Sequence, residues 1–179
     1  MVNTKHISQV VIQGHKTYQH DVAIEQLKST GSCFIKGDLQ AVNVISRGIL
    51  KAQDIKVQQI ESDGLIKAHK LETTVLKHRG NLHIQQIEAK HFTLLLSGTS
   101  AIQTLQAEII HIKPMWTLFK QCHCNAIIGQ EVILEAVKAN TVHADVIRIG
   151  AKCKIDKVYY KKSYHIHPMA KVGEVIEVY

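Results

Sequence analysis

The sequence predicts an all-β chain wound into a single parallel β-helix, a triangular solenoid of about 16–17 residues per coil. Two residue patterns predict the coil. Glycines recur at a nearly constant interval, at Gly31, Gly48, Gly64, Gly80 and Gly98, with spacings of 17, 16, 16 and 18. When the chain is aligned on them, aliphatic residues fall into columns separated by steps of two and three. A step of two keeps side chains on one face of an extended strand, and a step of three marks a corner. An amphipathic helix would need steps of three and four instead.

The columns supply the expected core ladder. Two residues after the glycine come Leu50, Ile66 and Leu82, with Ser100 breaking the series. Seven after come Ile55, Leu71, Ile87 and Leu105, and twelve after come Ile60, Leu76, Phe92 and Ile110. Between them lie Ala52, Ala68, Ile84 and Ile102, then Val57, Thr73, Ala89 and Ala107. The coil opening at Gly31 keeps the scheme with one residue inserted, through Cys33, Ile35, Leu39, Ala41 and Val44. No coil buries its apolar face alone, so the coils must stack.

In chain order, residues 1–20 read as an N-terminal extension or first strand, with Val10, Val11 and Ile12 as its apolar run. Residues 21–150 form the β-helix. It is interrupted at 113–124 by KPMWTLFKQCHC, which has a proline, the single tryptophan and no matching glycine, and reads as an irregular coil or bulging loop. The rhythm returns in five-residue steps at Val132, Val137, Val142 and Ile147, and Gly150 closes that coil. Residues 151–179, richer in Tyr and Lys, read as a C-terminal capping segment or final strands.

Composition agrees with a core of layered aliphatic side chains, because 45% of residues are hydrophobic but only 5% are aromatic. No apolar run is long enough for a membrane span, and the opening MVNTKHISQ lacks the apolar stretch of a secretory signal. The four scattered cysteines read as reduced thiols, so the expected compartment is the cytoplasm. The net charge of +7 suits an anionic partner, and the densest basic stretch is Lys152, Lys154, Lys157, Lys161 and Lys162. A solvated outer face accounts for it equally well.

The repeat, with the phrases GDLQAVNVISRGILKAQDIKV (37–57), IGAKCKIDKVYY (149–160) and VGEVIEV (172–178), resembles the bactofilin-like polymer-forming cytoskeletal proteins of bacteria, especially their longer Firmicute-type members. The resemblance covers the chain from about Val22 onward. It implies a right-handed parallel β-helix, in agreement with the preference of parallel crossovers, that polymerises end to end without nucleotide and serves cell shape, motility or the organisation of other proteins. The inner face of the membrane is then an expected place of association.

Chemistry was sought in the same residues. There is no phosphate-binding GxxxxGK[ST] or GxGxxG loop and no GxSxG elbow, and the spacing of Ser, His and Asp nominates no triad. The sharpest candidate for a metal is Cys122, His123 and Cys124, joined by His111, His165 or His167. The structural zinc spacing is CxxC, however, and two cysteines two apart on a strand share a face as small core residues. No metal, no cofactor and no small-molecule substrate is therefore expected. Trp116 and Phe119 are candidate contact residues if exposed and core filling otherwise.

The expected function is a structural, self-assembling scaffold and not an enzyme. Its partner is another copy of itself, with Val10, Val11, Ile12, Val172, Val175, Ile176 and Val178 as polymer-end contacts. Two other readings are open. One is a non-polymerising β-helical binding module for an anionic or protein partner. The other is a hexapeptide acyltransferase, which would need a sustained six-residue rhythm that occurs here only once, from Ile149 to Ile155.

Overall fold

Alternation of aliphatic and polar residues makes nearly every segment a strand with one buried face. The computed structural model describes residues 7–115 and 121–179. The strands are β1 (Ile7–Tyr18), β2 (Val22–Ile35), β3 (Leu39–Lys51), β4 (Asp54–Leu96), β5 (Ser100–Pro114), β6 (Cys122–Ile128), β7 (Glu131–Leu134), β8 (Val137–Ile149), β9 (Lys154–Ile166) and β10 (Lys171–Glu177). All pair in parallel, in the order β1-β2-β3-β4-β5-β6-β8-β9-β10, with β7 between β5 and β8. The result is a β-solenoid of about ten turns. The 43-residue β4 runs through successive coils without losing its ladder, while β6 and β7 are two pieces of one coil.

The interior is a set of vertical aliphatic columns. Val22 stacks on Leu39 and Leu39 on Ile55; further along, Ile87 stacks on Leu105, then Ile127, Val142, Val158 and Val175. Leu71 fills the intervening position and is fully buried. Leu50, Ile60, Ile66, Leu76, Leu82, Phe92 and Ile110 are buried as well. Removing a Leu or Ile side chain from water is worth ~1.5–3 kcal/mol, so these columns are the main favourable term. Ser100 sits in the Leu50 column, where its hydroxyl accepts the N–H of Leu82 at 3.0 Å.

One corner is closed by a glycine column. Gly14, Gly31, Gly48 and Gly64 stack directly, all at positive φ, and Gly80 continues the series at φ 141°. A Cβ on Gly48 would run into the carbonyl oxygen of Gly31, so backbone stacks on backbone here with no room for a side chain. Gly98 does not belong to this column, contrary to the expectation from spacing. The residue sixteen after Gly80 is Leu96, which is fully buried, and Ser97 donates its N–H to the Gly80 carbonyl at 3.3 Å. The coil is then longer, because the following strand pairs at an offset of 18, as in His83 with Ala101. The extra residues push Gly98 against the side chain of Asn81.

A second corner uses aspartate. The carboxylate Oδ1 of Asp21 accepts the N–H of Asp38 (2.9 Å), that of Asp38 accepts the N–H of Asp54 (3.1 Å), and that of Asp54 accepts the N–H of Lys70 (3.2 Å). Each carboxylate satisfies a corner donor one coil away, where the backbone ladder leaves it unpaired.

Three expected regions sharpen. Residues 7–18 are a first strand, one of the two expected forms, paired along β2 from Ile7 to Tyr18. The interruption expected over 113–124 is narrower: β5 continues to Pro114, and Cys122 resumes the ladder on Ser100 with Cys124 on Ile102. Cysteine is small and apolar enough to hold those core positions. Residues 151–179 take the second of the two expected forms, final strands, since β9 stacks on β8 and β10 on β9. Trp116 and Phe119 lie outside the described residues.

Gly48→Ala is expected to destabilise the chain by on the order of 3 kcal/mol, through positive-φ strain added to overpacking. Gly14→Ala, where a Cβ meets nothing within 4 Å, should cost only about 1 kcal/mol. Urea denaturation of the two variants against the parent chain measures the difference.

Candidate functional site

At the C-terminal end the core columns run out. Val175 continues the column above Val158 yet is 37% exposed, and Val172, on Ile155, is only partly buried. The strand beneath is longer than β10. Its second half, Ser163 to Ile166, stacks on β8 but carries no strand above it. Tyr164, over Ile147, is therefore 47% exposed, and Met169 beside it is 67% exposed. A one-residue register shift opposite Ala144 and Val146 bulges β9 just before this segment. Partly exposed apolar side chains thus lie beside a segment, Ser163 to Ile166, that pairs with β8 on one side and with no further strand among the described residues.

The expected end contacts divide on this geometry. Val172 and Val175 lie in core columns, whereas Ile176 stacks on Tyr159 on the outer side of the strand. Val178 is half-buried and donates its N–H to the Tyr160 carbonyl at 2.8 Å. At the other end Val10 stacks on Leu27 and Ile12 on Ser29, both facing inward, while Val11 stacks on Lys28 and is 60% exposed. The column of Cys33 receives Lys16, whose ammonium lies 5.6 Å from the centre of the Tyr18 ring. A charge thus stands in a core column at that end, unlike the apolar C-terminal end.

The Cys122, His123 and Cys124 side chains do not converge. Both cysteines are buried in core columns with their sulfurs 3.6 Å apart, and His123, between them, is exposed on the outer face. No group of three metal-ligating side chains occurs among the described residues. Burial pushes the thiols of Cys33 and Cys153 up to about 11, and the neighbouring Cys122 with burial raises Cys124 too. These are packing residues held protonated. In the basic stretch, Lys157 pairs with Glu174 at 3.4 Å and Lys162 with Asp145 at 2.9 Å, and Lys162 holds the Asp145 carboxyl below its ordinary value. Part of that charge is neutralised internally.

One polar feature escaped the sequence reading. Ser29 and Ser46 stack directly, Ser46 stacks on Ser62, and His78 follows sixteen residues later in the same buried column. The Asn81 carbonyl only accepts, so Nε2 of His78 donates to it at 3.1 Å, and Nδ1 accepts from the Ser62 hydroxyl at 2.8 Å. The neutral ring is fully satisfied. Desolvation pushes its pKa down to about 4, against smaller opposing effects of the Asn81 carbonyl and Asp63.

Among the described residues no helix is long and apolar enough to cross a membrane. No protein-family model, curated protein or solved structure matches the chain. The functional argument therefore rests on geometry.

His78 makes stability depend on pH with a definite sign. Its folded pKa lies below the ordinary 6.5, so the stabilisation is present above pH 6.5 and is lost as pH falls towards 4. The loss attributable to this ring is about 3 kcal/mol. Comparing urea midpoints of the parent and His78→Leu at neutral and acidic pH isolates it, because the other histidines titrate in both chains.

Proposed function

We propose that the chain is a structural, self-assembling scaffold that extends by stacking β-structure on its C-terminal coil. The observation that carries this reading is the exposed continuation of the core, where Val175 and Tyr164 occupy columns that are fully buried one and two coils below. A second copy seated there would continue the aliphatic columns and pair the free strand edge, which is the same interaction that joins every coil to the next. A contact between different surfaces of two copies propagates, whereas a contact between two like ends closes as a dimer. The bactofilin-like phrases in the sequence support the propagating form. On this reading assembly needs no nucleotide, and shape maintenance, motility or the organisation of other proteins are the roles such a polymer would serve.

Purified chain should form filaments or large oligomers in negative-stain images and in sedimentation, without added nucleotide. The double change Tyr164→Lys and Val175→Lys should reduce it to monomer while leaving the thermal midpoint within about 2 °C, since both positions are already open to water. A parent chain that sediments as monomer at every concentration and salt level tested defeats the reading.

A further inference from the structure

The outer faces of the coils also align, and one outer column is basic along most of the solenoid. Lys51 stacks on Lys67. Lys67 and His83 line one groove, and His83 stacks on Ala101, which stacks on His123. His123 then stacks on Lys138, Lys138 on Lys154 and Lys154 on Lys171. All of these side chains are exposed. At one strand spacing of ~4.8 Å per coil, the row is about 34 Å long. None of its lysines has an ion-pair partner among the described residues.

Stacking like charges in a ladder is unfavourable, and two other outer columns set opposite charges side by side. Arg47 stacks on Asp63, which pairs with Arg79 one coil on, so that outer column alternates in sign. Lys56 pairs with Glu72 at 3.6 Å in another. The lysines of the basic row have no such opposite charge among the described residues, and the row is flanked by hydrogen-bonding amides. Two residues further along the strands, on the same outward face, lie Gln85, Gln103, Asn125 and Asn140. Together with Lys67, His83, His123 and Lys138 they border a shallow groove of about 490 Å³. Asp156 ends the amide row at its C-terminal side.

We propose that this groove binds inorganic polyphosphate, laid lengthwise along the solenoid. Five lysines lie in this straight row, with His83, Ala101 and His123 between Lys67 and Lys138, an arrangement complementary to an unbranched polyanion, and amides beside it supply donors to the phosphate oxygens. Single-stranded nucleic acid would need aromatic platforms for its bases, and neither row carries Phe, Tyr or Trp from Lys51 to Lys171. A duplex strand would wind away from a straight row within one turn. The groove lies on the side of the solenoid, so the proposal is independent of assembly at the ends.

The test titrates the full chain into labelled long-chain polyphosphate and follows anisotropy. Lys67→Gln with Lys138→Gln should weaken binding about tenfold and flatten the log–log salt slope by about 1.4, the value for two lost contacts on a flexible polyanion. Lys28→Gln with Lys90→Gln removes the same charge from exposed positions off the row and should change affinity less than about twofold. The thermal midpoint of the first variant should be unchanged or higher, since Lys138 stacks between His123 and Lys154. Equal losses in both variants, no binding by the parent chain, or tighter binding of oligo-dT or phosphatidylglycerol vesicles would each overturn the proposal.

Discussion

Register between successive coils is the constraint on which the rest of the structure depends. Each coil buries little by itself, so its stability comes from the ladder and the aliphatic contacts it makes with the coils on either side. That is why Val22, Leu39 and Ile55 must lie one above another, and why Gly31 and Gly48 have no side chain where their backbones touch. A slip of one residue would carry every buried side chain to the outer face. Because coupling runs along the axis, any end that keeps its apolar columns behaves as an unfinished coil.

Several polar groups of the interior are satisfied across the ladder, although the buried Ser29 hydroxyl has no hydrogen-bond partner among the described residues. Ser100 takes a core position because the Leu82 N–H gives its hydroxyl a partner. His78 is accommodated as a neutral ring between Ser62 and the Asn81 carbonyl. The aspartates of the second corner do the same at the surface, each binding the backbone of its neighbour. In each case a hydrogen bond reaches across one coil spacing, so polar residues reinforce the stacking they interrupt.

The outer face obeys weaker rules. Its side chains are solvated, and their alignment costs or contributes little to folding. Charge order there is free to serve contacts with other molecules. Signs alternate at Arg47, Asp63 and Arg79, whereas lysines stack without interruption at Lys138, Lys154 and Lys171.

The solenoid and its core columns were legible in the sequence, because a dry interior of repeating width accepts only a narrow set of side chains at fixed steps. Ile55, Leu71 and Ile87 could be aligned by eye for that reason. The same reading misplaced Gly98 and widened the interruption around Cys122, since spacing cannot tell a lengthened coil from a broken one. The column of Ser46, Ser62 and His78 carried a sixteen-residue signal that went unread because polar residues were not sought in the core. What only the tertiary structure decided is where outward residues meet. The positions of His123 and Lys138 relative to Lys67 depend on the length of every coil between them, and no requirement of burial holds those lengths constant.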